Sequence, residues 1–97
     1  MIPTTLAQIA QVTQAQLIGA SDVTIENIST DTRTVAEGSL FVALIGERFD
    51  AHDFVADAIS KGASALLVAR EISDIQIPQL VVNDTKVALG LIAADVR

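Results

Sequence analysis

The sequence predicts an α/β fold: a small sheet with a parallel βαβ core flanked by helices. Three observations carry that expectation. Leu40-Phe41-Val42-Ala43-Leu44-Ile45 is a continuous apolar run, the pattern of a strand buried on both faces. A helical pattern follows from about His52, with Phe54, Val55, Ala58 and Ile59 on one face. Ala65 to Val68 is then a second apolar run. Strand, helix and strand in so short a stretch make two parallel strands joined by a right-handed crossover.

Taken in order, the chain opens with Thr4 or Thr5 as the cap of a first helix, with Leu6, Ile9 and Ala10 at helical spacing. Leu17 and Ile18 form a short strand candidate, stopped by the turn composition of Gly19-Ala20-Ser21-Asp22. Val23 and Ile25 alternate with polar residues as a half-buried strand does. Ile28 breaks that phase, so either a bulge lies near Glu26-Asn27 or the strand ends there. The polar residues Ser29-Thr30-Asp31-Thr32-Arg33 favour a loop, because short oxygen-bearing side chains bond to nearby backbone amides. Gly38-Ser39 is a turn before the first apolar run; Gly46 ends that run, and Glu47-Arg48-Phe49-Asp50 forms a second loop.

In the crossover helix Asp50 suits the N-cap and Asp53 the first turn, while Lys61 and Gly62 supply C-terminal signals. Arg70 to Pro78 reads as a polar, irregular connection. Leu80-Val81-Val82 is the last strand candidate, and Asn83 or Asp84 can cap a final helix carrying Leu89, Ile92, Ala93 and Val96. No Gly, Pro or turn cluster closes that helix, so the expectation is one domain cut from a longer protein. There is no internal repeat and no low-complexity segment.

Composition bounds the function. At 97 residues, 51% of them apolar and only 3% aromatic, the chain is one domain with an aliphatic core. Twelve acidic against six basic residues give a net charge of −6. That balance argues against nonspecific partnership with nucleic acid or an anionic membrane, both of which need basic surface. Without Cys there is no disulfide framework and no thiolate ligand or nucleophile. The N-terminus lacks the pattern of a signal peptide, and no apolar run approaches the roughly 20 residues that span a bilayer. The expectation is a soluble, intracellular protein.

The residues with chemical potential concentrate between Ser29 and Phe54, which hold two of the six Lys/Arg (Arg33 and Arg48), the single His (His52) and all three Phe. The five glycines are too dispersed for a dinucleotide fingerprint or an ATP-phosphate loop. Asp50, His52 and Asp53 are a weak metal or acid–base pattern, since both acids already have capping roles. Arg33 and Arg48 offer planar forks suited to phosphate, and the helix start near His52 adds backbone N–H groups. The alternative is that either Arg pairs with a neighbouring acid such as Asp31 or Glu47. Thr30 and Thr32 carry hydroxyls that both donate and accept, suited to a pyrimidine edge or to an ordinary turn. Phe49 lies against a base or sugar ring, or tucks onto the core.

These residues resemble a known family. Ser29-Thr30-Asp31-Thr32-Arg33, then Gly38 to Leu44, then Gly46 to Phe54, then a helix and Gly62 to Val68, are similar to the N-terminal domain of the Mur ligases. Those are the ATP-dependent amide-forming enzymes of cytoplasmic peptidoglycan synthesis, and the resemblance covers essentially the whole chain. It implies that residues 1–97 are a UDP-substrate-binding domain, with the ATP-binding and C-terminal domains of the same protein outside this chain. The nearest activity it implies is joining D-alanyl-D-alanine to UDP-N-acetylmuramoyl-tripeptide. Addition of the third amino acid to UDP-N-acetylmuramoyl-dipeptide is the alternative within the family, and a noncatalytic interaction module reusing the fold is the alternative outside it.

By position, the resemblance puts Thr30 and Thr32 at the uracil, with Asp31 and Arg33 shaping the first loop. Gly46, Glu47, Arg48 and Phe49 belong to the second loop, near uracil, ribose or diphosphate. Asp50 and His52 match the motif as ligand contacts or as structural residues. Thr32 stands where Ser is common and Ala51 where Gly is frequent, which disfavours a left-handed backbone there. The resemblance implies no catalytic residue and no metal ligand on this chain. ATP and Mg2+ serve the full-length ligase, activating the peptide carboxylate as an acyl phosphate for attack by the amine of D-alanyl-D-alanine. The chain alone is expected to catalyse nothing.

Overall fold

The computed structural model describes residues 3–45 and 50–95. The elements run β1 (Thr4–Thr5), α1 (Leu6–Thr13), β2 (Gln16–Ile18), β3 (Thr24–Ile25), β4 (Asn27–Ser29), β5 (Ser39–Val42), α2 (Val55–Ser60), β6 (Ala63–Val68), β7 (Gln79–Val81) and α3 (Thr85–Asp95). Five strands form one sheet in the order β2-β7-β6-β5-β4. Strands β4 to β7 pair in parallel, and β2 closes the β7 edge antiparallel. β1 and β3 make a separate antiparallel pair.

The continuous apolar run is explained by helices on both faces of the sheet. Leu40 and Val42 face one cluster with Leu6, Ile9, Ala88 and Ile92 of α1 and α3, whereas Phe41 and Ala43 face a second cluster with Val55 and Ala58 of α2. Side chains alternate across a strand, so a strand covered on both sides needs apolar residues at every position. The caps are those their residue types allow. Thr5 and Gln8 form a reciprocal capping box at the start of α1, and Asp84 accepts the backbone N–H groups of Lys86 and Val87 at the start of α3. The connection after Arg70 is tied down by Gln79, whose side-chain amide donates to Ile72 O and accepts from Ile72 N.

The phase break at Ile28 follows the second of its two alternatives: the strand ends at Ile25, where Thr24–Ile25 pairs with β1, and Asn27–Ser29 begins a new strand that pairs with β5. Three other expectations are corrected. Strand β5 ends at Val42, short of Ile45, which makes only an isolated bridge to Asp50. The crossover helix opens as a 3-10 turn, Ala51–Phe54, and that tighter winding takes Phe54 off the apolar face, leaving it 49% exposed. In α3 the inward row is Thr85, Ala88 and Ile92, with Ala93 exposed; Val96 and the strand-ending role of Gly46 lie outside the described residues. Among those residues, no helix is long and apolar enough to cross a membrane.

Two glycines give opposite predictions. Gly62 has φ +108, and a Cβ there would lie 3.0 Å from the Glu37 backbone nitrogen. Gly90 lies within α3, and a Cβ there would meet nothing within 4 Å. Gly62→Ala is expected to destabilise by about 1–3 kcal/mol, and Gly90→Ala to stabilise by about 0.5–1 kcal/mol. Urea unfolding midpoints of the two variants check both signs.

Candidate functional site

Where β4 ends, Ser29 is almost completely buried as the last partner of Phe41 in the parallel ladder. Its hydroxyl donates to Asp31 O at 2.7 Å and lies against the Thr34 hydroxyl, which donates to the same carbonyl at 2.9 Å. Thr34 N also donates to Asp31 O, closing the 3-10 turn Thr32–Thr34. The Asp31 carboxylate caps that turn by accepting from Arg33 N at 2.8 Å, and it receives the Arg33 guanidinium through Nε and Nη2 at 3.0 and 2.6 Å. This is the Asx-type local bonding that polar residues of this length provide. Thr30 and Thr32 stand outside the knot. Their hydroxyls have no partner among the described residues.

The other wall comes from the start of the crossover. Thr30, Asp31, Thr32, Arg33, Phe41, Ala51 and Phe54 line one cleft of about 260 Å3. It lies where the first loop leaves β4, beside β5, on the sheet face that α2 covers. A ligand crevice outside the carboxyl ends of parallel strands is the usual position in open α/β sheets. Phe41, Ala51 and Phe54 give it an apolar lining, and Thr30 and Thr32 bring two hydroxyls that have no partner among the described residues.

A separate brace anchors the start of the crossover. Asp50 and Ile45 form a bridge, and Ala51 N donates to Leu44 O at 2.9 Å. Asp50 Oδ1 accepts from His52 N at 2.9 Å and from the His52 ring Nδ1, while Oδ2 accepts from Arg70 Nη2 at 3.2 Å. Ala69 N donates to His52 Nε2 at 2.9 Å. Both ring nitrogens of this buried imidazole are therefore engaged, with the proton on Nδ1. The brace ties the crossover to the end of β6.

The comparisons with known proteins agree with this architecture. The model of the Mur ligase family, catalytic domain, matches residues 24–97. The chain belongs to the Mur ligase family. It is 52% identical over 97 residues to the UDP-N-acetylmuramoyl-tripeptide–D-alanyl-D-alanine ligase of Haemophilus influenzae, covering 100% of this chain and 21% of that protein. A crystal structure of MurF from Acinetobacter baumannii superposes with a TM-score of 0.87 at 44% identity, over 95% of this chain and 20% of that one. A UDP-N-acetylmuramoyl-L-alanyl-D-glutamate–2,6-diaminopimelate ligase of Bacillus licheniformis is 39% identical over 75 residues, covering 77% of this chain and 15% of that protein. The chain thus spans about a fifth or less of the length of these curated relatives.

Among the positions that the Mur ligase pattern singles out, the structure brings Thr30, Asp31, Thr32 and Arg33 together in the cleft. Gly46, Glu47, Arg48 and Phe49 lie outside the described residues. Asp50 and His52 do not line the cleft, and their polar atoms serve the brace. Arg33 is not a free phosphate fork, because its guanidinium is folded onto Asp31. Nor are the amides at the described start of the crossover available to an anion. The N–H groups of Ala51, His52, Asp53 and Val55 already donate to Leu44 O, Asp50 Oδ1, Asp50 O and His52 O. Ala51 is accommodated without strain, since only Gln14 and Asp74 have positive φ among the described non-glycine residues.

Sequence reasoning missed Phe41, Ala51 and Phe54 as lining residues. Phe41 was hidden in an unbroken apolar run. Phe54 fitted the helical spacing of a core position, and only the 3-10 winding moves it out.

Asp31 gives the loop a pH signature. Its carboxyl is held down to about 2 from 3.8, mainly by the Arg33 guanidinium and then by the Arg33 N–H. Asp50 is also lowered from 3.8, chiefly by the His52 N–H, with desolvation opposing. A carboxyl depressed in the folded state binds its proton more readily when unfolded, so its stabilisation is full above about pH 4 and is lost as pH falls toward about 2. Asp31→Asn is expected to be less stable than the parent at neutral pH, with the difference closing by about pH 2. Urea midpoints across that range check it, and a difference independent of pH would contradict it.

Proposed function

We propose that this chain is the substrate-binding domain of an ATP-dependent ligase that joins D-alanyl-D-alanine to UDP-N-acetylmuramoyl-tripeptide in peptidoglycan synthesis, and that it holds the UDP end. The observation that carries this reading is the cleft between Thr30–Arg33 and Phe54, in a chain that shares about half its residues with a ligase of that activity. Addition of the third amino acid is the second reading, and a lower identity over fewer residues places it behind the first.

The chemistry of the cleft favours the nucleobase end of the substrate. A uracil has two apolar faces and a rim of alternating donors and acceptors, which hydroxyls of Thr30 and Thr32 can meet from either side of a hydrogen bond. A diphosphate needs positive charge, and the cation that lines the cleft among the described residues, Arg33, is paired with Asp31. We therefore assign the diphosphate to the second loop, with Arg48 as its cation.

ATP and Mg2+ do not fit the residues present here. The glycines are dispersed, and no group of three His, Cys, Asp or Glu among the described residues could hold a metal ion. Both are assigned to the remainder of a longer cytoplasmic protein, and the chain alone is expected to be inactive in ligation.

Calorimetric titration tests the reading. Saturable binding of UDP-N-acetylmuramoyl-tripeptide is expected, retained by UDP and absent with ATP. Binding of ATP without UDP would contradict it. Thr32→Val, which keeps the shape and removes the hydroxyl, is expected to weaken UDP roughly 2- to 10-fold, the magnitude of one net hydrogen bond.

A further inference from the structure

Phe54 is the unusual surface residue of this molecule. It ends the 3-10 turn with φ −105 and ψ 9, and its ring is half exposed beside Ala51 and Val55, which are buried. The chain has three Phe and no Tyr or Trp, yet two of those three rings line this one cleft. The other large exposed apolar side chains among the described residues, Ile45, Val87 and Leu91, are aliphatic and line other grooves. Phe41 is almost wholly buried in the core, so it offers the cleft little more than an edge. Among the described residues, Phe54 is the aromatic side chain that presents substantial surface there.

We infer that Phe54 is the stacking platform for the pyrimidine base and determines how much of the binding energy comes from the base. This rests on the proposed reading of the cleft as a UDP site. A half-exposed aromatic side chain sharing one cleft with two threonine hydroxyls suits a planar heterocycle: a ring can cover the apolar face while hydroxyls meet the polar rim. The turn that carries Phe54 is fixed in advance: His52, two residues earlier, is held through both ring nitrogens, and Val55 N donates to His52 O. A preorganised backbone lowers the ordering cost of binding. The Asp31–Arg33 pair at the rim is electrically balanced, so it does not repel a neutral base.

The test compares UDP with ribose 5-phosphate, which lacks the base, on the parent chain and on Phe54→Ala, Phe54→Leu and Phe54→Trp. Circular dichroism verifies each fold. Phe54→Ala and Phe54→Leu are expected to weaken UDP by about 5- to 150-fold and to leave ribose 5-phosphate unchanged. Phe54→Trp is expected to retain UDP binding, and UDP should quench the fluorescence of this single Trp. If the parent does not bind UDP, the UDP reading and this inference fall together. If the parent binds UDP, and folded Phe54→Ala and Phe54→Leu bind it equally well, the inference alone falls.

Discussion

Because β4 and β5 run parallel, the chain leaves both strands at the same end of the sheet. What the cleft contains follows from that pairing. The last rung of the ladder sets Ser29 beside Phe41, so the first loop begins where an aromatic side chain already forms the floor. Ala51 and Phe54, at the start of the crossover and before α2 begins, line the same cleft. Antiparallel pairing would have put the exits of β4 and β5 at opposite ends of the sheet. The helices on both faces keep this arrangement rigid, since they require every position of β5 to be buried.

Within that frame, most polar groups near the cleft bond to one another. Ser29, Asp31, Arg33 and Thr34 form one closed network, and Asp50, His52, Arg70 and the Ala69 amide form another. Buried polar atoms left unpaired are costly, and no buried side-chain nitrogen or oxygen among the described residues lacks a partner. The two networks fix the walls and leave the Thr30 and Thr32 hydroxyls and the Phe54 ring for recognition. In a chain of net charge −6, folding Arg33 onto Asp31 also removes the cleft's own negative charge. That suits a neutral base more than a free phosphate.

Much of this was legible in the sequence, for identifiable reasons. The apolar run fits a strand covered on both faces, as its first half is, and Thr5 and Asp84 are residues whose side chains cap helices. The first loop was legible because consecutive polar residues such as Ser29 and Asp31 bond readily to nearby backbone. Three features were not legible. Helical spacing cannot distinguish a 3-10 turn from an α-helix over one turn, so Phe54 was read as core. A sequence of Asp and His two apart does not reveal that Ala69, seventeen residues later, supplies the donor that occupies His52. A break in alternation does not say whether a strand bulges or changes sheets, which at Glu26 was decided by its backbone bond to Gly38 O.

The most direct test of the account is a chemical-shift map of the isotopically labelled chain titrated with UDP-N-acetylmuramoyl-tripeptide, with ATP as the control. The account predicts shifts at Thr30 to Arg33 and at Ala51 to Phe54, which ATP does not produce. Shifts confined to the groove between Asn83 and Leu91, or equal responses to both nucleotides, would contradict it.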